Sequence, residues 1–161
     1  MAGHIAKAEQ PENPMTNEDQ IISQALEILE SRLQQPGQIM NNPVDVKRFL
    51  ALKLSQEERE VFAVLFLDVQ LQMIEYRELF FGTVDKASVF PREVLKSALN
   101  ANATALIFAH NHPSQNPEPS HADIALTREL SDLLDRIDVR VIDHIIVAGL
   151  KTTSFAERGL L

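Results

Sequence analysis

Apolar residues run without interruption over residues 61–67 and again over 105–109. Unbroken runs of this length are typical of central strands that are covered on both faces. Less regular apolar segments, bounded by turn residues, predict three further strands, over about 71–81, 139–148 and 152–155. The chain therefore contains the strands of one substantial sheet.

Before and between these strands, apolar residues recur three and four positions apart, which predicts helices. The predicted helices cover residues 18–34, a short segment from Pro43, a segment from Pro91, and 121–136. Strands and helices alternate along the chain from about residue 60 onward. We therefore expect an α/β fold, a sandwich of helices around a mixed central sheet, with an N-terminal helical extension.

The N-terminal part differs in character from the rest of the chain. Residues Met1 to Met15 are polar and contain two prolines, which predicts a flexible tail. We expect a division into residues 1–42, the tail and the first helix, and residues 43–161, the domain that carries the chemistry. The helix over 18–34 is expected to be a packing element or a contact between subunits of an oligomer.

Composition narrows the possible chemistry. The chain of 161 residues has no cysteine, which excludes disulfides, thiolate metal sites and a cysteine nucleophile. Its formal net charge of −8 argues against a general nucleic-acid-binding surface, although a small basic patch stays possible. No apolar run approaches the roughly 18 residues of a membrane span, and the first twenty residues hold no secretory signal, so we expect a cytoplasmic protein.

The most specific chemistry lies directly after the strand over 105–109. His110 and His112 are two positions apart and project to the same side of an extended backbone. Asp123 falls in the first turn of the helix that follows. Two imidazoles and one carboxylate suffice for a catalytic zinc ion, with a fourth position left for water, although iron or manganese also suits these ligands.

A metal-activated water needs a base, and two glutamates are candidates. Glu118 lies on the loop between the histidines and the helix, whereas Glu60 opens the buried strand over 61–67. We favour Glu60, because a carboxylate beside an apolar run is costly unless it has a use there.

Ser120 has two compatible interpretations. Ser120-His121-Ala122-Asp123 is a helix-capping sequence, which is the favoured role, and a serine hydroxyl can also stabilise an oxyanion.

Glu60, His110, His112, Ser120 and Asp123 reproduce the JAMM (MPN+/JAB) metalloprotease motif of a distant Glu, His-x-His, seven residues, Ser, two residues and Asp. Surrounding segments narrow the resemblance to the RadC-like JAB family of bacteria: Pro91-Arg92-Glu93, His110-Asn111-His112-Pro113-Ser114, Asp143-His144-Ile145-Ile146-Val147 and Ser154-Phe155-Ala156-Glu157-Arg158-Gly159.

The resemblance covers about residues 43–161. It implies a cytidine-deaminase-like α/β sandwich, one zinc ion bound by His110, His112 and Asp123, and a bacterial or prophage origin. It also implies that Glu60 is a general acid/base and that Ser120 stabilises an oxyanion.

Two departures from the family pattern bear on function. Relatives usually have glycine where this chain has Gln115, so we expect the loop to differ in shape or to carry strain. Full-length relatives also tend to carry an N-terminal helix-hairpin-helix region, which this chain cannot contain whole.

The leading hypothesis is a zinc-dependent peptidase or isopeptidase that acts on a peptide or protein. A nucleic-acid-processing or repair accessory protein and a metal-bound interaction module without turnover are the alternatives. A deaminase is disfavoured, because its His-x-Glu and Pro-Cys-x-x-Cys ligands are absent. For His144, which follows Asp143, packing at a strand start is favoured over support of a metal ligand through that carboxylate.

Overall fold

A five-stranded mixed sheet forms the middle layer of the fold. The computed structural model describes residues 15–82 and 88–161. The strands are β1 (Val61–Leu67), β2 (Met73–Phe81), β3 (Ala105–Asn111), β4 (Arg140–Ala148) and β5 (Lys151–Ser154). They lie in the order β2-β1-β3-β4-β5, with β3 and β4 parallel and the other neighbours antiparallel.

Helices cover both faces of this sheet. They are α1 (Asn17–Leu33), α2 (Gln38–Asn41), α3 (Pro43–Leu54), α4 (Pro91–Asn100) and α5 (His121–Asp135). Side chains of α1, α2 and α3 share one core cluster with one face of the sheet, and α4 and α5 share a second cluster with the other face. The predicted α/β sandwich with a mixed sheet and an N-terminal helix is therefore confirmed.

The burial of β1 explains its unbroken apolar sequence. All seven of its residues are buried, and they alternate between the two clusters. Ala63 and Leu65 pack toward α1–α3, whereas Val64 and Phe66 pack toward α4 and α5. A strand covered on both faces has no solvent-facing side on which polar residues would be favoured.

The N-terminal helix begins where its capping sequence predicts. The Thr16 hydroxyl accepts a hydrogen bond from the backbone N–H of Asp19, and the Asp19 carboxylate accepts one from the backbone N–H of Thr16. Leu29 and Leu33 bury this helix against the core. The predicted flexible tail lies outside the described residues, apart from Met15. Within the described ranges, no helix is long and apolar enough to cross a membrane.

The structure departs from the sequence prediction at two points. Strand β2 begins at Met73 rather than near residue 71, because Leu71 has a φ of 57° in a turn held by the Asp68 carboxylate. The short helix α2 was not predicted, and Gly37, with a φ of 72°, leads directly into it. Both differences arise where left-handed residues redirect the chain without interrupting an apolar pattern.

The loop between β3 and α5 contains a third left-handed residue, Gln115. Its φ is 60°, and its backbone N–H donates to the carbonyl of His112 at 2.9 Å. This is the conformation that glycine adopts without steric cost, so the loop holds a glycine-type turn with a residue that carries a Cβ. The backbone at Gln115 is thus in the region where a residue with a Cβ is disfavoured.

We predict that Gln115→Gly leaves stability unchanged or raises the free energy of unfolding by up to about 1 kcal/mol, since relief of the left-handed strain offsets the entropy gained by the unfolded chain. Urea denaturation followed by circular dichroism measures the change. Gln56→Gly is the matched control, because Gln56 is exposed and is not among the positive-φ residues. It should lose about 0.4–1 kcal/mol, and equal losses in both variants would show that Gln115 is unstrained.

Candidate metal centre

The carboxyl end of β3 brings two histidines to one point. His110 is the penultimate residue of the strand, and His112 follows it. The two Nε2 atoms lie 2.9 Å apart. His110 is 2% exposed and therefore buried. The side chain of His112 is 15% exposed and is accessible to solvent. The prediction that both rings face the same side is confirmed.

Asp123 reaches the same point from the first turn of α5. Its Oδ1 lies 3.4 Å from Nε2 of His110, and its Oδ2 lies 3.4 Å from Nε2 of His112. Ser120 fixes the start of this helix, because its hydroxyl accepts from the Asp123 N–H at 3.1 Å and its own N–H donates to the Asp123 carboxylate at 2.7 Å. The cap therefore holds both the helix and the carboxylate.

The spacing of these three side chains suits a metal ion. Each of them offers one ligand atom, and those atoms lie within 4.8 Å of one another. Donors bound tetrahedrally at zinc distances of about 2.0–2.1 Å are separated by about 3.3 Å. The separations of 2.9 and 3.4 Å lie close to that value. The donor set and its spacing thus fit zinc.

The protonation preferences of the group reflect its close packing. Burial raises the pKa of the Asp123 carboxyl, but its interactions with the rings of His110 and His112 outweigh burial and hold that pKa far below its usual range. The interaction with Asp123 raises the pKa of His112. Asp123 is therefore a carboxylate at neutral pH, which is the form that binds a metal.

The far nitrogens of both rings also have partners. Nδ1 of His112 lies 2.7 Å from the carbonyl oxygen of Asn116. Nδ1 of His110 lies 2.8 Å from Nε2 of His144, a buried residue in the middle of β4. Burial lowers the pKa of the His144 ring well below its normal value.

The favoured sequence interpretation of His144, packing at a strand start, is wrong. The ring contacts His110 directly, and the adjacent carboxylate of Asp143 does not bind it. That carboxylate instead accepts from the His144 backbone N–H and from Ser154. No spacing rule connects β3 with β4, so the sequence held no signal for the contact between the two rings.

Glu60 lies at the entrance of the same site. The antiparallel register pairs Phe62 with His110, and its continuation places Glu60 opposite His112. Glu60 is half-buried and lines the cleft that contains the three candidate ligands.

Asn111 lies between the two histidines, and its side chain forms hydrogen bonds with the segment that carries Glu60. Its buried amide accepts from the Val61 N–H at 2.7 Å and donates to the carbonyls of Glu57 and Arg59 at 3.1 and 2.9 Å. This role of Asn111 was not predicted, although a polar residue at the end of a buried strand indicates that its side chain has hydrogen-bond partners.

The cleft is open and mixed in character, with a volume of about 780 Å³. Apolar side chains and carboxylates both line it. The principal apolar members are Phe62, Val89, Pro113 and Leu126, and the carboxylates are Glu60, Glu118, Asp123 and Glu129. Glu118 is exposed and forms an ion pair with Arg158, with N–O distances of 2.6 and 2.7 Å. Glu60 and Glu118 both line the cleft, and Glu118 is engaged by Arg158.

Comparison with known proteins is consistent with this geometry. A family model described as the RadC-like JAB domain matches residues 40–160. A UPF0758 protein of Vibrio cholerae is 54% identical over 144 residues, which cover 89% of this chain and 90% of the relative. A UPF0758 protein of Marinobacter nauticus is 50% identical over 137 residues, which cover 85% of this chain but 61% of the relative. The chain thus spans nearly all of one relative and about three-fifths of the other.

The family model matches most of the chain, and the Vibrio cholerae protein is similar to it over nearly its whole length. The resemblance seen in the sequence is confirmed, and the chain belongs to the RadC-like JAB domain family.

Proposed function

We propose that the protein is a zinc-dependent hydrolase of amide bonds, a peptidase or isopeptidase, with His110, His112 and Asp123 as the protein ligands of the metal. The observation that carries the proposal is the convergence of these three ligand atoms beside Glu60 in an open cleft. We also propose that residues 43–161 form the catalytic domain and that residues 1–42 are an extension to it.

Zinc in a site with three protein ligands supplies a water of lowered pKa and a positive charge that polarises a carbonyl group. Side chains of this protein carry out the remaining chemistry. The Glu60 carboxylate accepts a proton from the attacking water and later donates it to the leaving amine. This role is supported by the position of Glu60 opposite His112, on the same side of the two strands as the proposed ligands. The hydrogen bond between Val61 and Asn111 stabilises that position.

Ser120 can act on the substrate without giving up its cap. Its oxygen accepts from the Asp123 N–H, and this bond leaves the hydroxyl hydrogen free. The side chain is exposed and lines the cleft. The hydroxyl is therefore available to donate to the carbonyl oxygen as that oxygen gains negative charge.

The charge of the cleft favours a peptide over a nucleic acid as the substrate. Among its described lining residues, the charged side chains are carboxylates, and neither lysine nor arginine is present. Phosphate groups need cationic partners, which these lining residues do not supply, and the net charge of −8 is unfavourable for binding a polyanion. A nucleic-acid-processing role therefore has no support from this surface.

Replacement of the proposed base gives the first test. Glu60→Gln should lower kcat for a cleaved peptide by about 10²–10⁴-fold, because the amide cannot accept a proton, while the zinc content stays at the wild-type level. A peptide-library screen with wild-type protein provides the substrate, and elemental analysis provides the zinc content.

Glu118→Gln is the matched control, since Glu118 is the other glutamate of the motif region and forms its ion pair with Arg158. It should stay within a few-fold of wild-type activity. Equal hydrolysis by wild type and Glu60→Gln would remove Glu60 from the mechanism, and zinc binding with no cleavage of any peptide would favour an interaction module.

Ser120 can be tested separately from its cap. Ser120→Ala should destabilise the protein by about 1 kcal/mol through loss of the cap and should also lower kcat by about 10²–10³-fold through loss of the donor. Thr16→Ala is the control, because Thr16 forms the same kind of capping box on α1.

Thr16→Ala should lose similar stability and keep its kcat when both variants are assayed at a temperature where they are folded. If Ser120→Ala also keeps wild-type kcat, Ser120 is only a helix cap.

A further inference from the structure

A chain of hydrogen bonds leads from His110 through the core and back to the candidate site. Nδ1 of His110 lies 2.8 Å from Nε2 of His144, and Nδ1 of His144 lies 2.6 Å from Oγ1 of Thr127. Oγ1 of Thr127 lies 2.6 Å from the backbone carbonyl oxygen of Asp123. These hydrogen bonds thus connect two candidate metal ligands through two buried residues that do not line the cleft.

The backbone carbonyl of Asp123, at the end of this series of hydrogen bonds, determines which atom donates in each of them. A carbonyl oxygen can only accept, and two oxygens 2.6 Å apart need a hydrogen between them, so Thr127 donates to Asp123. With its one hydrogen committed, the hydroxyl of Thr127 can only accept from Nδ1 of His144. His144 therefore carries its hydrogen on Nδ1.

The environment of His144 determines what its other nitrogen does. The residue is 1% exposed, and burial of this kind favours a neutral ring. It is enclosed by three aromatic rings, Phe62, Phe108 and Phe155. In a neutral ring with hydrogen on Nδ1, Nε2 is an acceptor. His110 must then donate from Nδ1, which leaves a lone pair on its Nε2, the atom that faces His112 and Asp123.

We propose that Thr127 and His144 are positioning residues that hold His110 in the Nδ1–H tautomer and thereby set the zinc affinity of the site. The proposal rests on the proposed metal ligands but does not require that any substrate is turned over. Loss of such a supporting hydrogen bond typically weakens metal binding by about 10–100-fold.

A different hydrogen bond holds His112 in the same Nδ1–H tautomer. Its Nδ1 contacts the carbonyl of Asn116, an acceptor that needs no further partner to set its direction. With hydrogen on each Nδ1, both Nε2 atoms are free to donate a lone pair to a cation, and they lie 2.9 Å apart beside the Asp123 carboxylate. Two independent carbonyls, those of Asn116 and Asp123, therefore prepare the site for a positive ion.

The test removes only the hydroxyl of Thr127. Thr127→Val keeps the shape of the side chain but leaves Nδ1–H of His144 without an acceptor, whereas Thr127→Ser keeps the hydroxyl. Ser131→Ala is the matched control, since Ser131 also donates to a carbonyl four residues earlier on α5, that of Thr127. Zinc affinity is measured by competition with a chromophoric chelator, and thermal denaturation confirms that each variant is folded.

Thr127→Val should bind zinc about 10–100-fold more weakly than wild type, and Thr127→Ser and Ser131→Ala should stay within about threefold of it. Wild-type affinity in folded Thr127→Val would overturn the proposal, as would equal weakening in Ser131→Ala. A wild type that binds no zinc would overturn the ligand assignment and this proposal with it. Zinc binding without turnover would remove only the proposed activity.

A second measurement needs no variant. Nitrogen-15 spectra of metal-free wild-type protein distinguish the two ring nitrogens of a neutral histidine. We expect His110 and His144 to carry hydrogen on Nδ1. Hydrogen on Nε2 of His110, with a bare Nδ1, would overturn the proposed direction of the chain even if Thr127→Val fails to fold.

Discussion

The buried amide of Asn111 is the interaction on which the geometry of the site depends. It lies between the two histidines and forms three hydrogen bonds, two with the segment that precedes β1 and one with Val61, the first residue of that strand. A buried donor or acceptor left without a partner costs about 1–3 kcal/mol, so this side chain allows the two segments few alternative arrangements. The same residue thus ends the strand that carries His110 and holds the segment that carries Glu60.

The layers of the fold supply the remaining members of the site. The sheet places β4 beside β3, which puts His144 behind His110. Helix α5 packs on the same face of the sheet, and its capped first turn brings Asp123 to the histidines. Polar groups at the edge of an apolar core must be fully hydrogen-bonded, and the partners found here also orient the candidate ligands. The same hydrogen bonds therefore contribute both to stability and to the geometry of the site.

The unbroken apolar runs and the capping sequences predicted most of the fold, because these signals depend on neighbours close in the chain. The run over 61–67 became a fully buried strand, and Thr16 and Ser120 both cap helices. The spacing of His110, His112 and Asp123 likewise predicted their convergence, since a strand end, a short loop and a first helical turn leave few other geometries.

Contacts between distant segments were not predictable in this way. No fixed sequence spacing predicts the contact of His144 with His110. The same is true of the hydrogen bonds between Asn111 and residues 57–61. Both depend on which strands become neighbours in the sheet. The short helix α2 was missed for a related reason, because a left-handed glycine can lead into a helix as well as end one.

We propose that His110, His112 and Asp123 bind one zinc ion. Zinc-edge X-ray absorption of protein reconstituted with one equivalent of zinc tests it most directly. We expect one tightly bound zinc per chain, with nitrogen and oxygen ligands at about 2.0–2.1 Å and scattering from two imidazole rings, one of which is lost in His112→Ala. Zinc without imidazole ligands, or a spectrum unchanged by His112→Ala, would contradict the claim.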